Sequence, residues 1–426
     1  MRDFPLHTGL TILVTLLCGA GFSLRVPPPK PNQPPAAVVP PPAAALPAPT
    51  LPDAPPPIFD DSGLDSFYRA LARTEAQEPG AVTRIVHYGD SPTTADLITG
   101  DVRALLQARF GNAGHGFLLV SKPWAWYQHD AVKLSGSGWK AQAASHFIAQ
   151  DGMFGLGGVS FTGGPNASTH IHFERGAYTT FELWFLREPG GGTIALTADD
   201  VPVGTVDTSG DAKEPGFAAF DALAPASTLD LRVTAGKARV FGVSATRPGP
   251  GVVYDSLGLN GASVTVMTRM FNEQHWAAEL QHRNPDLVIV NYGTNEADFP
   301  DFVEKQYEKE LRAAIARLRA ALPQTALLIM GPMDRGHKTS PGEIETMPTI
   351  PRIVAIQRRV ARETGCGFFD TFRAMGGAGT MARWYTQQPR MVSADFIHPY
   401  PAGGKIIAEI IVRELTAGLA RYKSRR

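Results

Sequence analysis

Only two cysteines occur in 426 residues, Cys18 and Cys366, and Cys18 lies in an N-terminal apolar stretch. A disulfide framework and a cysteine-based zinc site are therefore excluded, and stability must come from a buried core. Charge of one sign is lacking too, because 40 Lys and Arg balance 40 Asp and Glu. Without a global positive field, nucleic acid is not an expected partner. Long apolar runs are also scarce. The exception is positions 6–24, LHTGLTILVTLLCGAGFSL, which carry no ionisable side chain other than His7 and Cys18. Nineteen residues lie between the apolar region of a secretory signal and a short membrane span. Either reading sends the rest of the chain out of the cytoplasm. No clear A-x-A cleavage site follows, and Leu17 stands before Cys18 where a lipoprotein signal wants a small residue. An uncleaved anchor at the inner membrane is favoured over a cleaved signal, because a spacer follows directly.

Proline, in contrast, is abundant and concentrated. Residues 26–57 hold 15 of the 36 prolines. Such a segment favours extended polyproline II and buries no core. At about 3.1 Å per residue it is a semi-rigid stalk that reaches up to about 100 Å.

Beyond the stalk, the pattern falls into three parts. Residues 58–129 begin an α/β domain: RIVHYGD (84–90) reads as a strand and 95–110 as a helix. Residues 251–426 resume it, with strands at LVIVNYG (287–293), TALLIMG and GFFD. Helices are expected over about 264–282, 302–322, 351–364 and 401–422. Alternating short apolar strands and helices indicate a three-layer α/β/α fold with a parallel sheet. Residues 130–250 differ: THIHFER, TTFELWFL, GTIALTA, STLDLRV and ARVFGVSA alternate apolar and polar residues between turn residues. That pattern predicts an inserted antiparallel β-sandwich, with Trp184 in its core.

Chemistry-bearing residues fall at strand ends. In HYGDSPTTAD, Ser91 follows the first strand, where its hydroxyl would emerge at the carboxyl edge of the sheet. In SADFIHP, Asp395 precedes His398 by three residues, so one tight turn can join carboxylate and imidazole. Gly293 and Asn295 follow the buried strand in NYGTNEAD, and Gly261 in DSLGLNGAS leaves its N–H unobstructed by a Cβ. Each feature alone has a plain alternative, a capping serine, a capping Asp–His pair or a turn glycine.

In combination and in this order, Gly89-Asp90-Ser91, Gly261, Gly293-x-Asn295 and Asp395-x-x-His398 resemble the SGNH (GDSL-like) hydrolase superfamily over about residues 80–120 and 252–420. The resemblance implies Ser91 as nucleophile, His398 as base then acid and Asp395 as its orienting partner. It implies an oxyanion hole from the Ser91 N–H, the Gly261 N–H and the Asn295 side chain. No G-x-S-x-G elbow is present, so the ordinary α/β-hydrolase reading fails. A narrower resemblance is to the peptidoglycan O-acetylesterases of Gram-negative bacteria. They interrupt this domain with a carbohydrate-binding-like β-sandwich and carry local sequence like LQARFGNAGHGF and SLGLNGAS. Pro92 stands where close relatives are expected to have His.

The implied activity is a serine-dependent acyl esterase acting on a periplasmic or otherwise extracytoplasmic O-acylated polysaccharide such as peptidoglycan, with no cofactor and no metal. The alternatives are transfer of the acyl group to another glycan, and a catalytically idle glycan-binding protein. A lipase is disfavoured by the lack of an apolar lid segment. Trp124, Trp126 and Tyr127 in KPWAWYQHD offer aromatic faces for sugars, with interdomain packing as the alternative. His170 and His172 share a strand face, with no acidic partner evident in the sequence and an exposed pair expected. His337 and Glu296 are placed as cleft residues, and the RYKSRR end as a solvated tail.

Overall fold

The computed structural model describes residues 57–146, 151–339 and 342–426. The apolar segment 6–24, and the stalk up to its last residue, lie outside these. Among the described residues no helix is long and apolar enough to cross a membrane.

The central sheet runs in the order Phe59–Asp60, Gly367–Phe369, Ala326–Met330, Leu287–Asn291, Val82–Gly89, Gly251–Gly258. All neighbours are parallel except the short Phe59–Asp60 edge. Numbered by sequence, the parallel strands lie 2-1-3-4-5, a doubly wound order whose direction reverses between Val82–Gly89 and Leu287–Asn291. Ligands bind beyond the carboxyl ends of the strands at such a switch point. Apolar side chains alternate between the two faces, which explains the unbroken apolar runs in the sequence. Val86, Tyr88, Val288, Val290, Leu327 and Ile329 join one core. Ile85, Leu287, Ile289 and Leu328 join the other, beneath the helices Asp65–Glu75, Thr99–Phe110 and Pro401–Ser424.

Between Gly114 and Thr246 the chain forms two antiparallel sheets. One is Val201–Asp207, Thr193–Ala198, Thr228–Ala235, Ser168–Phe173, Val132–Ser137. The other is Glu214–Ala226, Tyr178–Arg187, Ala238–Thr246, Val159–Gly163, Lys140–Ala143, with Gly114–Leu118 also pairing Ala238–Thr246. The β-module thus starts earlier than the expected residue 130. Its core is continuous with one face of the parallel sheet: Trp184 is fully buried against Phe117, and Trp276 donates to the Tyr88 hydroxyl at 2.9 Å. Residues 56–426 therefore make one compact unit.

Several helices differ from the pattern reading for local reasons. The helix expected over 95–110 starts at Thr99, because Asp96 adopts φ 55° and turns its carboxylate onto the Thr99 hydroxyl at 2.6 Å. The helix expected over 264–282 is a π-turn, Val266–Met270, followed by Glu273–Arg283. Asn272 is extended and accepts from the His275 N–H at 3.0 Å, capping a new start. The helix expected over 302–322 is divided at Gln306 into Pro300–Lys305 and Tyr307–Ala321. The basic end is no free tail: Arg421, Lys423 and Arg425 pair with Asp61, Glu75 and Asp65.

Asp96 and Arg103 form an ion pair in which both side chains are almost wholly buried. Removing one partner strands the other charge, so Arg103→Ala should cost about 3–5 kcal/mol, read as a lowered urea midpoint at unchanged slope.

Candidate active site

Four loops meet at the site, carrying in chain order Ser91, Gly261, Gly293–Asn295 and Asp395–His398. The first leaves Val82–Gly89 and enters the turn Ser91–Thr94. This turn lies so close to the end of Gly251–Gly258 that a Cβ on Gly258 would fall 2.0 Å from the Thr94 N. Ser91 is largely buried, and its Oγ lies 2.7 Å from His398 Nε2. His398 Nδ1 lies 2.6 Å from Asp395 Oδ2. The Asp395-x-x-His398 turn is closed by its own hydrogen bonds: Asp395 Oδ1 accepts from the Ile397 and His398 N–H groups at 2.9 and 3.1 Å and from the Ser393 hydroxyl. Burial pushes the Asp395 carboxyl up, but hydrogen bonds from His398, Ser393 and the two amides outweigh it and hold the group well below the usual carboxylate range. The structure thus brings together three side chains spread over 307 residues of sequence separation.

The second and third loops are cross-linked. Gly261 has φ 67°, and on its Cβ side the nearest group is the His146 ring, 3.9 Å away. Asn295 Nδ2 donates to the Ala262 carbonyl at 2.8 Å. Glu296 is 1% exposed and receives the Val264 N–H on one oxygen at 2.8 Å and the Gly293 N–H on the other at 3.0 Å. It therefore clamps the Gly261 loop to the Gly293–Asn295 loop, a role its place in the sequence did not reveal. Asp90 is buried beside the site, where burial pushes it up to about 6 against a hydrogen bond from Thr294 and the His398 charge.

Burial likewise raises the Glu296 carboxyl from 4.5 to about 7, against the two loop amides. Across that window the folded protein holds a proton that the unfolded chain has released. Stability from this group is therefore fully present below pH 4.5 and lost as pH rises towards 7. Glu296→Gln should flatten the fall in melting temperature between these limits. It should also lower ester turnover, because an amide NH₂ cannot accept the second backbone N–H.

The aromatic segment divides. Trp126 is half-exposed and donates to Asn260 Oδ1 at 3.2 Å, one residue before Gly261. Trp124 packs on the core and lies 5.9 Å from the His146 ring. Tyr127 is buried, its hydroxyl accepting the Leu119 N–H at 2.9 Å, so it is a packing residue and not a sugar contact. His146 joins this wall although a lone histidine in AASHF gave no signal. His337 sits in the hairpin Gly336–Lys338/Ile344–Thr346, bonded to the Asp395 loop by Gly336 N–H to the Phe396 carbonyl at 2.9 Å. His170 lies far off in the module and does have an acidic partner, Asp230 Oδ1 at 2.8 Å across the strand pair. Among the described residues no group of His, Cys, Asp and Glu has the arrangement to hold a metal.

Residues 232–406 match the GDSL-like lipase/acylhydrolase family. The chain carries a GDSL-like lipase/acylhydrolase (SGNH) domain. It is an esterase of that class. The matched stretch begins inside the β-module and includes Gly261, Asn295, Asp395 and His398 but not Ser91. An acetylxylan esterase of Geobacillus stearothermophilus is 25% identical over 183 residues, 41% of this chain and 76% of the relative. A solved peptidoglycan O-acetylesterase shares the fold with a TM-score of 0.74 at 22% identity, over 86% of this chain and 100% of the other. That alignment extends the likeness through the β-module.

Proposed function

We propose that the protein is a serine-dependent esterase that removes O-acetyl groups from an extracytoplasmic polysaccharide, peptidoglycan foremost. The observation that carries this reading is the hydrogen-bonded relay from Ser91 Oγ to His398 Nε2 at 2.7 Å and from His398 Nδ1 to Asp395 at 2.6 Å. A serine hydroxyl is a weak nucleophile until a base takes its proton, and a neutral imidazole does so in the physiological range. Ser91 Oγ attacks the acetyl carbonyl as its proton passes to His398, and Asp395 stabilises the imidazolium. The carbonyl oxygen becomes an oxyanion facing the Ser91 N–H, the Gly261 N–H and the Asn295 amide, each such donor contributing about 3–4 kcal/mol. Collapse breaks the ester bond, and His398 gives its proton to the departing sugar oxygen, which leaves as a hydroxyl. Water, deprotonated by His398, then releases acetate and frees Ser91.

The glycan assignment draws on the acetylated-polysaccharide esterases the chain resembles in sequence and fold. It also draws on the exposed Trp126 beside the Gly261 loop, whose face suits the C–H surface of a sugar. Trp126→Ala should raise KM for polymer several-fold while leaving kcat for a small acetyl ester nearly unchanged. The apolar segment 6–24 and the proline-rich stalk fit a periplasmic enzyme tethered to the inner membrane.

The test is acetate release from O-acetylated peptidoglycan and from acetylated xylan, with a chito-oligosaccharide added as acceptor. Free acetate from peptidoglycan in preference to xylan is expected. Acetyl groups on the acceptor would make the enzyme a transferase, and release from xylan alone would move the substrate to another glycan.

A further inference from the structure

A cavity of about 500 Å³ opens beside the two triad-bearing loops without including any triad residue. One wall is Ala95–Leu97, which continues from the Ser91–Thr94 turn, and another is Pro401, three residues after His398. At about 1.5 Å rise per residue, Ala95 lies only about 6 Å along the turn from Ser91. The chain from His398 to Pro401 spans at most about 10 Å. The opposite wall belongs to the β-module, from Lys122 to Leu134 with Glu174.

This junction is built rigidly. The Gln128 N–H donates to the Thr94 carbonyl at 3.3 Å, and its side-chain amide donates to the Ala95 carbonyl at 3.0 Å. The Asp130 N–H donates to Asp96 Oδ2 at 2.8 Å. Two lining residues other than glycine, Asp96 and Ala131, take left-handed backbone angles, φ 55° and 59°. Such conformations cost free energy and persist where the surroundings enforce them.

The charges lining the cavity are of both signs and unequally used. Lys133 pairs with Glu174 at 2.6 Å, Asp130 pairs with Arg175, and Asp96 is held by Arg103. Asp101 and Lys122 have neither a hydrogen-bond nor an ion-pair partner among the described residues. Burial, with Asp130 nearby, raises the Asp101 carboxyl against the pull of Lys405. A neutral sugar would leave both groups unpaired, whereas a ligand bearing an ammonium and a carboxylate pairs both.

We infer that this cavity is a subsite for a short zwitterionic peptide attached to the glycan, with Asp101 receiving its ammonium and Lys122 its carboxylate. The inference rests on the peptidoglycan reading above, because that polymer carries peptides on its sugar chain and xylan does not. The β-module then acts as one wall of the substrate cleft, and the enzyme selects peptide-bearing stretches of glycan.

The test is calorimetric titration of the full chain with a non-acetylated disaccharide-peptide from peptidoglycan and with the same disaccharide stripped of its peptide. No turnover is involved, so the outcome is independent of whether Ser91 is the nucleophile or acetate the product. The peptide-bearing ligand should bind at least about tenfold more tightly, an advantage of about 1.4 kcal/mol. In Asp101→Asn/Lys122→Ala the ratio should fall towards one. Because it is taken within each protein, a general loss of fold cannot produce that change. Acetylating the peptide ammonium should remove the same part of the advantage as Asp101→Asn, and the two changes together should remove no more. Equal affinities in the unmodified protein, or an advantage the double variant keeps, would overturn the inference.

Discussion

Ser91→Ala is expected to lower kcat for ester hydrolysis by about 10⁴–10⁶, leaving affinity for polysaccharide near that of the unmodified enzyme. The size follows from what is lost. Ser91 Oγ is the atom aligned at 2.7 Å on His398 Nε2, and without it neither His398 nor Asp395 has a nucleophile to serve. The three groups act as a unit, so the triple replacement should be little worse than the single one. The fold should tolerate the change, because the Ser91 hydroxyl's hydrogen bond is to the partly exposed His398 ring. Steady-state rates on a small acetyl ester, beside a binding isotherm for non-acetylated glycan, separate the two effects. A loss of less than tenfold would contradict the assignment of Ser91.

Asn295→Ala should reduce kcat by about 10²–10³ with a much smaller change in KM, because its amide serves the oxyanion more than the ground-state carbonyl. Part of the loss is geometric. One Asn295 N–H is committed to the Ala262 carbonyl at 2.8 Å, so the side chain also holds the Gly261 loop in place. Glu296 supports the same loop pair through the Val264 and Gly293 N–H groups. Loosening the loops through Glu296→Gln should therefore resemble a milder Asn295→Ala in the kinetics. It should differ in its pH-stability profile, where only the carboxyl titrates. Equal loss of affinity and turnover in Asn295→Ala would instead mark it as a substrate-binding residue.

The elements nearest the chemistry were the most legible in the sequence. Ser91, Gly293, Asn295 and the Asp395–His398 pair each stand at the end of an apolar strand or before the last helix, and those positions depend on local pattern alone. The parallel strands at 287–291 and 326–330 are buried on both faces and read as unbroken apolar runs. What local pattern does not carry is pairing over distance. The edge strand Phe59–Asp60 is only two residues long and its partner, Gly367–Phe369, lies at the other end of the chain, whereas the helix Asp65–Glu75 sets Phe67, Tyr68 and Leu71 at helical spacing and is legible locally. Gly114–Leu118 joins the module's sheet through Ala238–Thr246, a partner more than a hundred residues away.

Site residues divide in the same way. Tyr127 and Trp126 are adjacent in an aromatic cluster, yet one hydroxyl is turned inward onto the Leu119 amide and the other ring faces solvent. Composition does not distinguish them. Glu296 looked like a cleft acid, but its two carboxylate oxygens are spent on backbone amides of separate loops. His170 found Asp230 only because Ser168–Phe173 and Thr228–Ala235 pair in that register. The local breaks at Asp96, Asn272 and Gln306 follow the same logic, since each end of a helix is set by a side-chain cap or a backbone angle and not by apolar spacing.

The most direct measurement of the central claim is acid-quenched turnover of an acetyl ester, followed by mass analysis of the peptide that contains Ser91. An acetyl group on Ser91, absent from His398→Ala, is the predicted result. Steady turnover with no acetyl on Ser91 under conditions that slow deacylation, or with acetyl on another side chain, would contradict it.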